Sequence, residues 1–408
     1  MKKIFLNTSA IACFLFVLSC GSKQEFQADL IIDASSSLEE DGKWFKQADQ
    51  VVLSSEGGNL SYEINIPSAG RYRVEVVAVG EGTVWFEDYI DNKDARTYNI
   101  TGNIEIKSPD SPESFGKEGS PLNKGLHKIK LHASKNETLI IQKLLFTKMI
   151  DHQITPVSMV QGYEGDEWQL VWSDEFEGEG LPDSLKWTFD VGNWGWGNNE
   201  PQYYTDSRIE NARLENGNLI IEARKNDMGQ PWTSARLTTR GKTSFLYGKI
   251  EFRAKVPAIN GTWAAGWLLG DEYVDELSWP YCGEIDVLEC VGNEIDDESG
   301  DGINHASCHT RTYYFKEGTQ ITAITDVKDM VNEYHTYTIE WTPEGITGFV
   351  DGNEYFLYDK TADRLEWPFD EPQNIILNLA MGGGMGGEID PTANAAQFVI
   401  DYVRVYGK

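Results

Sequence analysis

The sequence predicts an all-β chain built as two units, and three observations predict it. Apolar and polar residues alternate at period two through short runs such as Leu60-Ser61-Tyr62-Glu63-Ile64-Asn65-Ile66. Gly- and Pro-bearing stretches such as 107–121 separate those runs. Helical periodicity is weak except near 326–332. With 408 residues, the chain has room for two domains.

Taken in order, residues 1–20 read as a targeting segment rather than as fold. Lys2 and Lys3 precede a short apolar run from Ile11 to Leu18, too short to span a bilayer as a mature helix. Val17-Leu18-Ser19-Cys20 has the form of a bacterial lipobox with Cys20 as the lipidated residue; an ordinary secretory signal is the alternative. Gly21 and Ser22 follow in place of Asp, a pattern resembling sorting to the outer membrane of a Gram-negative envelope. A lipidated Cys20 would anchor a soluble protein to the membrane. Residues 21–27 form a tether. Residues 28–150 read as a β-sandwich, with Tyr72-Arg73-Val74-Glu75-Val76-Val77, Leu126-His127-Lys128-Ile129-Lys130-Leu131 and Leu139-Ile140-Ile141 as further strands. Residues 151–165, with Pro156 and Gly162, read as a linker. From Trp168 onward the strands are longer and Trp-rich, so 166–408 reads as one unit of two large packed antiparallel sheets.

The composition narrows the partners. Lys+Arg is 35 against Asp+Glu 65, a formal charge of −30, which disfavours nucleic acid and anionic membrane surfaces. Thirteen Trp and 18 Tyr fit sugar binding, where flat rings stack on pyranose faces; a large β-core is the alternative use. Cys282, Cys290 and Cys308 lie outside the targeting segment. They read as three buried thiols, with a Cys290–Cys308 bridge across strands as the alternative. No metal-ligand spacing joins them to the six histidines. The sequence does not define an oligomeric state, and a monomer is the expectation.

The segment Gly283-Glu284-Ile285-Asp286-Val287-Leu288-Glu289 concentrates the chemistry. Glu284 and Asp286 share one face of a strand, and Glu289 is an odd step from both. A one-residue bulge near Val287 or Leu288 returns Glu289 to their face. The Glu284 and Glu289 Cα atoms are then roughly 12–13 Å apart, and inclined side chains bring the carboxyls toward ~5–5.5 Å. That spacing suits the nucleophile and acid/base of a retaining glycosidase. Three neighbouring carboxylates cannot all ionise comfortably, so one keeps a proton near neutral pH.

The flanking segments carry a family resemblance. Trp172-Ser173-Asp174-Glu175-Phe176, Gly195-Trp196-Gly197-Asn198-Asn199-Glu200-Pro201, Ser234-Ala235-Arg236-Leu237, Trp279-Pro280-Tyr281-Cys282-Gly283 and Asp401-Tyr402-Val403-Arg404-Val405 occur in order around Glu-x-Asp-x-x-Glu. Residues 166–408 thereby resemble glycoside hydrolase family 16, in its laminarinase-like branch. Ile66-Pro67-Ser68-Ala69-Gly70-Arg71-Tyr72 and Gly125-Leu126-His127-Lys128-Ile129 resemble a family 6 carbohydrate-binding module. The resemblance implies a concanavalin-like β-jelly-roll that cleaves a β-linked glycan internally, with retention. It implies Glu284 as nucleophile, Asp286 as its helper and Glu289 as acid/base, with no catalytic cofactor.

It further implies sugar contacts from Asn199, Glu200, Arg236, Trp263, Trp267, Trp279 and His309; a mutual or local salt bridge is the alternative for Glu200 and Arg236. Trp85, Phe86 and Tyr89 are the candidates for stacking on sugar in the N-terminal unit; packing its core is their other use. A structural Ca²⁺ is implied at the Asp401 side chain and the backbone carbonyls of Glu175 and Gly217, unless Asp401 only caps a strand end. Met385 stands where laminarinases usually carry a tryptophan, which implies a differently shaped cleft. The expected substrate is β-1,3-glucan, with mixed-linkage glucan as an extension. The rivals are galactose-containing glycans cut by the same apparatus, or a glycan-binding lipoprotein without turnover.

Overall fold

The computed structural model describes residues 27–88, 98–134, 138–150, 156–162, 165–275 and 278–408. Cys20, the start of the tether and Tyr89 lie outside them. Helix is confined to single turns, and the described chain is otherwise strands and loops. The 326–332 segment, where helical periodicity was expected, closes a strand and then turns, with Val327 and Met330 packed into the core.

The N-terminal unit is built from long strands: β1 (Gln50–Ile66), β2 (Gly70–Asp88), β3 (Ile104–Leu122), β4 (Gly125–Ala133) and β5 (Thr138–Ile150). The two faces expected of a sandwich are joined. The first part of β2 pairs with β3 and β5, and its end pairs with β4. β1 bridges β4 and β5. The sheet thus wraps around a core that includes Tyr62, Phe86 and Phe146. The alternation read in β1 places Leu60, Tyr62, Ile64 and Ile66 inside, as a half-buried strand requires.

The C-terminal unit stacks two antiparallel-dominated sheets. Its elements used below are β6 (Gln202–Tyr204), β7 (Arg236–Thr238), β8 (Gly248–Lys255), β9 (Thr262–Gly270), β10 (Glu284–Val291), β11 (Gly302–His309), β12 (Ile321–Val327), β13 (Gln373–Met381) and β14 (Ala395–Gly407). The front sheet runs β7-β13-β9-β10-β11-β12, and the back sheet holds β6, β14 and β8. β8 alternates Ile250, Phe252 and Ala254 inward with Lys249, Glu251, Arg253 and Lys255 outward, so the back sheet has a wet face. β13 is buried along its whole length, because its second face lies under a cleft rather than open water. Ile285, Leu288 and Leu377 of the front sheet share the core with Ile250 and Phe252 of the back sheet.

One boundary differs from expectation. Within the expected 151–165 linker, Ser158–Gln161 forms a parallel strand against Thr243–Leu246 of the front sheet. Val160 packs on the C-terminal core, and that apolar contact holds the segment to the sheet.

Candidate active site

β10 carries the three carboxylates, and its register explains how they meet. Against β9, Asp286 pairs with Trp267 and Leu288 with Gly266, so Val287 is the extra residue of a bulge. The bulge shifts the parity by one. Glu284, Asp286 and Glu289 consequently all line the same cleft, while Ile285, Leu288 and Cys290 enter the core.

The bulge has a buried clamp. The ladder from β10 to β11 covers only Glu284↔His309, Ile285↔Cys308 and Asp286↔Ser307. Beyond it the Asn304 side chain replaces the missing backbone partners. Its Nδ2 donates to Val287 O at 3.0 Å, and its Oδ1 accepts from the Glu289 N–H at 3.1 Å. Nδ2 also reaches the Tyr355 hydroxyl at 2.7 Å. Asn304 is fully buried, so these bonds form away from competing water.

Each outer carboxylate receives an indole N–H. Trp279 Nε1 donates to Glu284 Oε2 at 2.9 Å, and Trp263 Nε1 donates to Glu289 Oε1 at 3.2 Å. His309 Nε2 is 3.3 Å from Asp286 Oδ2 and 3.8 Å from Glu284 Oε1. Burial pushes all three carboxyls well above the ordinary carboxylate range, and the charge of Asp286 pushes Glu284 and Glu289 further. The indole donors and His309 oppose that shift at both glutamates. The three groups titrate as one coupled set that retains a proton at neutral pH.

The cleft, open to solvent, spans ≈ 820 Å³ of free space and runs across the front sheet. At the β7 end, the Arg236 guanidinium lies between the Trp196 and Trp267 rings, 4.8 Å from each centroid. Its ion-pair partner is Asp190 at 3.1 Å, a local salt bridge. Glu200 instead accepts from Asn198 Nδ2 at 3.2 Å and Gln202 Nε2 at 2.6 Å. Trp267 Nε1 donates to Asn378 Oδ1 at 2.7 Å. Trp263 and Trp267 share the cleft face of β9, as their spacing implies. Gly383, at φ +72°, leaves room beside Glu200: a Cβ there would stand 2.9 Å from Glu200 Cγ. Toward the β11 end, Phe315 and Lys316 flank Trp279 at 5.7 and 5.6 Å. Met385 is half-buried on the turn Gly383–Gly386, which stands beside Glu200 and Trp263.

Several expectations need correction. Asn199 is exposed at φ +60° and lies outside the lining; the left-handed backbone brings its neighbour Asn198 into the cleft. His309 packs behind the open cleft, against the carboxylates and the Trp279 ring. Phe86 is wholly buried against Phe146 and has no face to offer a sugar. Trp85 is half-buried, stacked on His132 at 5.1 Å and bonded to Glu87. Cys282, Cys290 and Cys308, by contrast, are the free buried thiols that were expected, and the alternative Cys290–Cys308 bridge is absent.

The calcium expectation fits poorly. Asp401, its single side-chain ligand, already pairs with Arg253. A hard cation that seeks six to eight oxygens would have to displace Arg253 from the one carboxylate offered.

Sequence reading passed over Trp196, Asn378, Asn304 and Phe315. Trp196 stands inside a motif segment, so its neighbourhood was visible. Asn304 gave no local signal, because its role depends on a bulge in another strand.

An all-β fold with a trench of indoles over a proton-sharing carboxylate cluster defines a carbohydrate-cleaving class of site. Residues 198–404 match Glycosyl hydrolases family 16, and the chain belongs to that family of glycoside hydrolases. The chain is 49% identical over 249 residues to the Beta-glucanase of Rhodothermus marinus, covering 59% of this chain and 85% of that protein. It is 34% identical to Glucan endo-1,3-beta-glucosidase A1 of Niallia circulans, where the match covers 58% of this chain but 37% of that longer protein. The solved laminarinase from Rhodothermus marinus superposes with a TM-score of 0.55 at 47% identity, covering 59% of this chain and 98% of that one.

Proposed function

We propose that the protein is a retaining endo-β-1,3-glucanase of the laminarinase type. The single observation that carries the mechanism is the bulge at Val287, which turns Glu284, Asp286 and Glu289 into one cleft. The likeness to a β-glucanase and a laminarinase supports the substrate class. Glu284 attacks the anomeric carbon while Glu289 gives its proton to the leaving glycosidic oxygen. The glycosyl–Glu284 ester then forms as the C–O bond to the leaving sugar breaks. Water attacks the ester, Glu289 takes the water's proton, and Glu284 leaves as carboxylate. Trp279 and His309 hold Glu284 and Asp286 in place through the contacts described above.

The trench of Trp263, Trp267 and Trp196 suits an uncharged, flat-faced polymer held by stacking and by the polar groups of Glu200, Arg236 and Asn378. Laminarin, barley mixed-linkage glucan, agarose and mucin O-glycans, each incubated with the enzyme and read by product chromatography, test the substrate. Short oligosaccharides from laminarin are the expected result. Products only from agarose or mucin glycans would replace the substrate while leaving the carboxylate roles intact.

We also infer a cell-envelope lipoprotein, supported by Lys2, Lys3, the apolar run and Val17-Leu18-Ser19-Cys20. In a Gram-negative host, Cys20→Ala is expected to release the enzyme from the membrane fraction. Retention of that variant on the membrane would remove the anchor assignment.

A further inference from the structure

The loop at the β7 end of the cleft is held within its own unit by the Gly192–Tyr204 backbone bridge and the Trp196–Tyr204 ring contact, and it is also held from outside that unit. Trp196 has φ +51°, a backbone conformation that a bulky residue holds only when its surroundings enforce it. Some of those surroundings belong to the N-terminal unit. Arg71, at the start of β2 and 5% exposed, donates from its guanidinium to Val191 O. Lys117 Nζ of β3 donates to Asn193 O at 3.3 Å. The Tyr203 hydroxyl of β6 donates to the Glu118 carboxylate at 3.0 and 3.1 Å.

The contact is also tight. A Cβ on Gly102 would stand 3.0 Å from Trp194 O, and one on Gly192 would stand 3.3 Å from Glu118 O. Trp194, 3% exposed, packs its ring 3.6 Å from Trp196. Trp196 in turn covers Arg236. A narrow cavity lined by Arg71 and Pro121 on one side and by Trp194, Trp196 and Arg236 on the other joins the interface to the cleft wall. Trp196 and Arg236 line the cleft itself. Support therefore passes from Arg71 and Glu118 through the 191–196 loop and Tyr203 to the sugar-facing surface.

We propose that the N-terminal unit is a positioning wall of the cleft, fixing Trp196 and Arg236 and thereby setting affinity for the glycan at the β7 end. This rests on the glycanase reading but not on the identity of the glycan. It assigns the unit a role that needs no sugar site of its own. Arg71 and Glu118 are positioning residues, remote from the reacting atoms.

The test compares Arg71→Ala, Glu118→Ala and Glu118→Gln with wild type, on whichever polymer of the substrate panel the wild-type enzyme cleaves. Loss of one ordered aromatic contact corresponds to a roughly three- to tenfold rise in KM with kcat nearly unchanged. Glu118→Gln should restore wild-type KM, because an amide oxygen still accepts from Tyr203. Glu118 is partly exposed, so its variants stay interpretable if Arg71→Ala folds poorly. An unchanged KM in Glu118→Ala would overturn the proposal and leave the unit as a spacer. So would a fall in kcat matched by a lower melting temperature, which marks general destabilisation. A wild-type enzyme that cuts only a non-glucan polymer would sink the glucan assignment while this comparison still stands.

Discussion

Glu284, Asp286 and Glu289 occupy a space where burial and mutual charge work against full ionisation. The Asp286 charge raises both glutamates, so removing it lowers them. Asp286→Asn is expected to move the alkaline limb of the kcat/KM pH profile to lower pH, because Glu289 then loses its proton sooner. A limb that stays put would mean that Asp286 does not tune the acid. Glu289→Gln is expected to cost roughly 10²–10⁴-fold in kcat, with substrate still bound, measured as hydrolysis against retained binding. At this scale the sequence was highly legible: period-two parity singled out Glu289 as needing a bulge. It was less legible at Asn199, whose left-handed backbone no residue pattern announces, and at Phe86, which alternation alone places on either face.

The bulge is a property of an element, and its upkeep lies in another element. Asn304 on β11 bonds both Val287 O and Glu289 N. Asn304→Ala leaves two buried backbone groups unpaired, at about 1–3 kcal/mol each. A slip of the bulge would also turn Glu289 out of line, so kcat is expected to fall up to roughly 100-fold. Thermal unfolding and single-substrate kinetics measured together check this. A stability loss with kcat intact would show that the bulge holds without its clamp. The strand β1 was legible because Glu63 and Asn65 face water between buried neighbours, whereas β13, covered on both faces, shows no alternation to read. The Ser158–Gln161 strand was missed because four residues beside Pro156 look like a linker until the front sheet offers them an edge.

Across the whole molecule, raised carboxyls link activity to stability. Each of the three has a higher pKa folded than unfolded, so its stabilising contribution is complete below the unfolded value. That contribution is lost as pH rises through the folded value. The melting temperature is therefore expected to fall from mildly acidic to mildly alkaline pH, and Glu284→Gln should flatten that fall. Equal slopes in variant and wild type would contradict the buried-carboxylate account. The all-β class was readable from composition and pattern. The seam between the units was not, because Arg71, Glu118 and Tyr203 meet across long sequence separations that only the fold closes.

The measurement that tests the central claim most directly is proton NMR of laminarin during the first minutes of hydrolysis, before the new reducing ends mutarotate. Retention through Glu284 and Glu289 predicts β-anomeric reducing ends appearing first, with the α-anomer growing in later. Initial α-anomer would contradict the nucleophile assigned to Glu284, and no new reducing ends from laminarin would contradict the substrate.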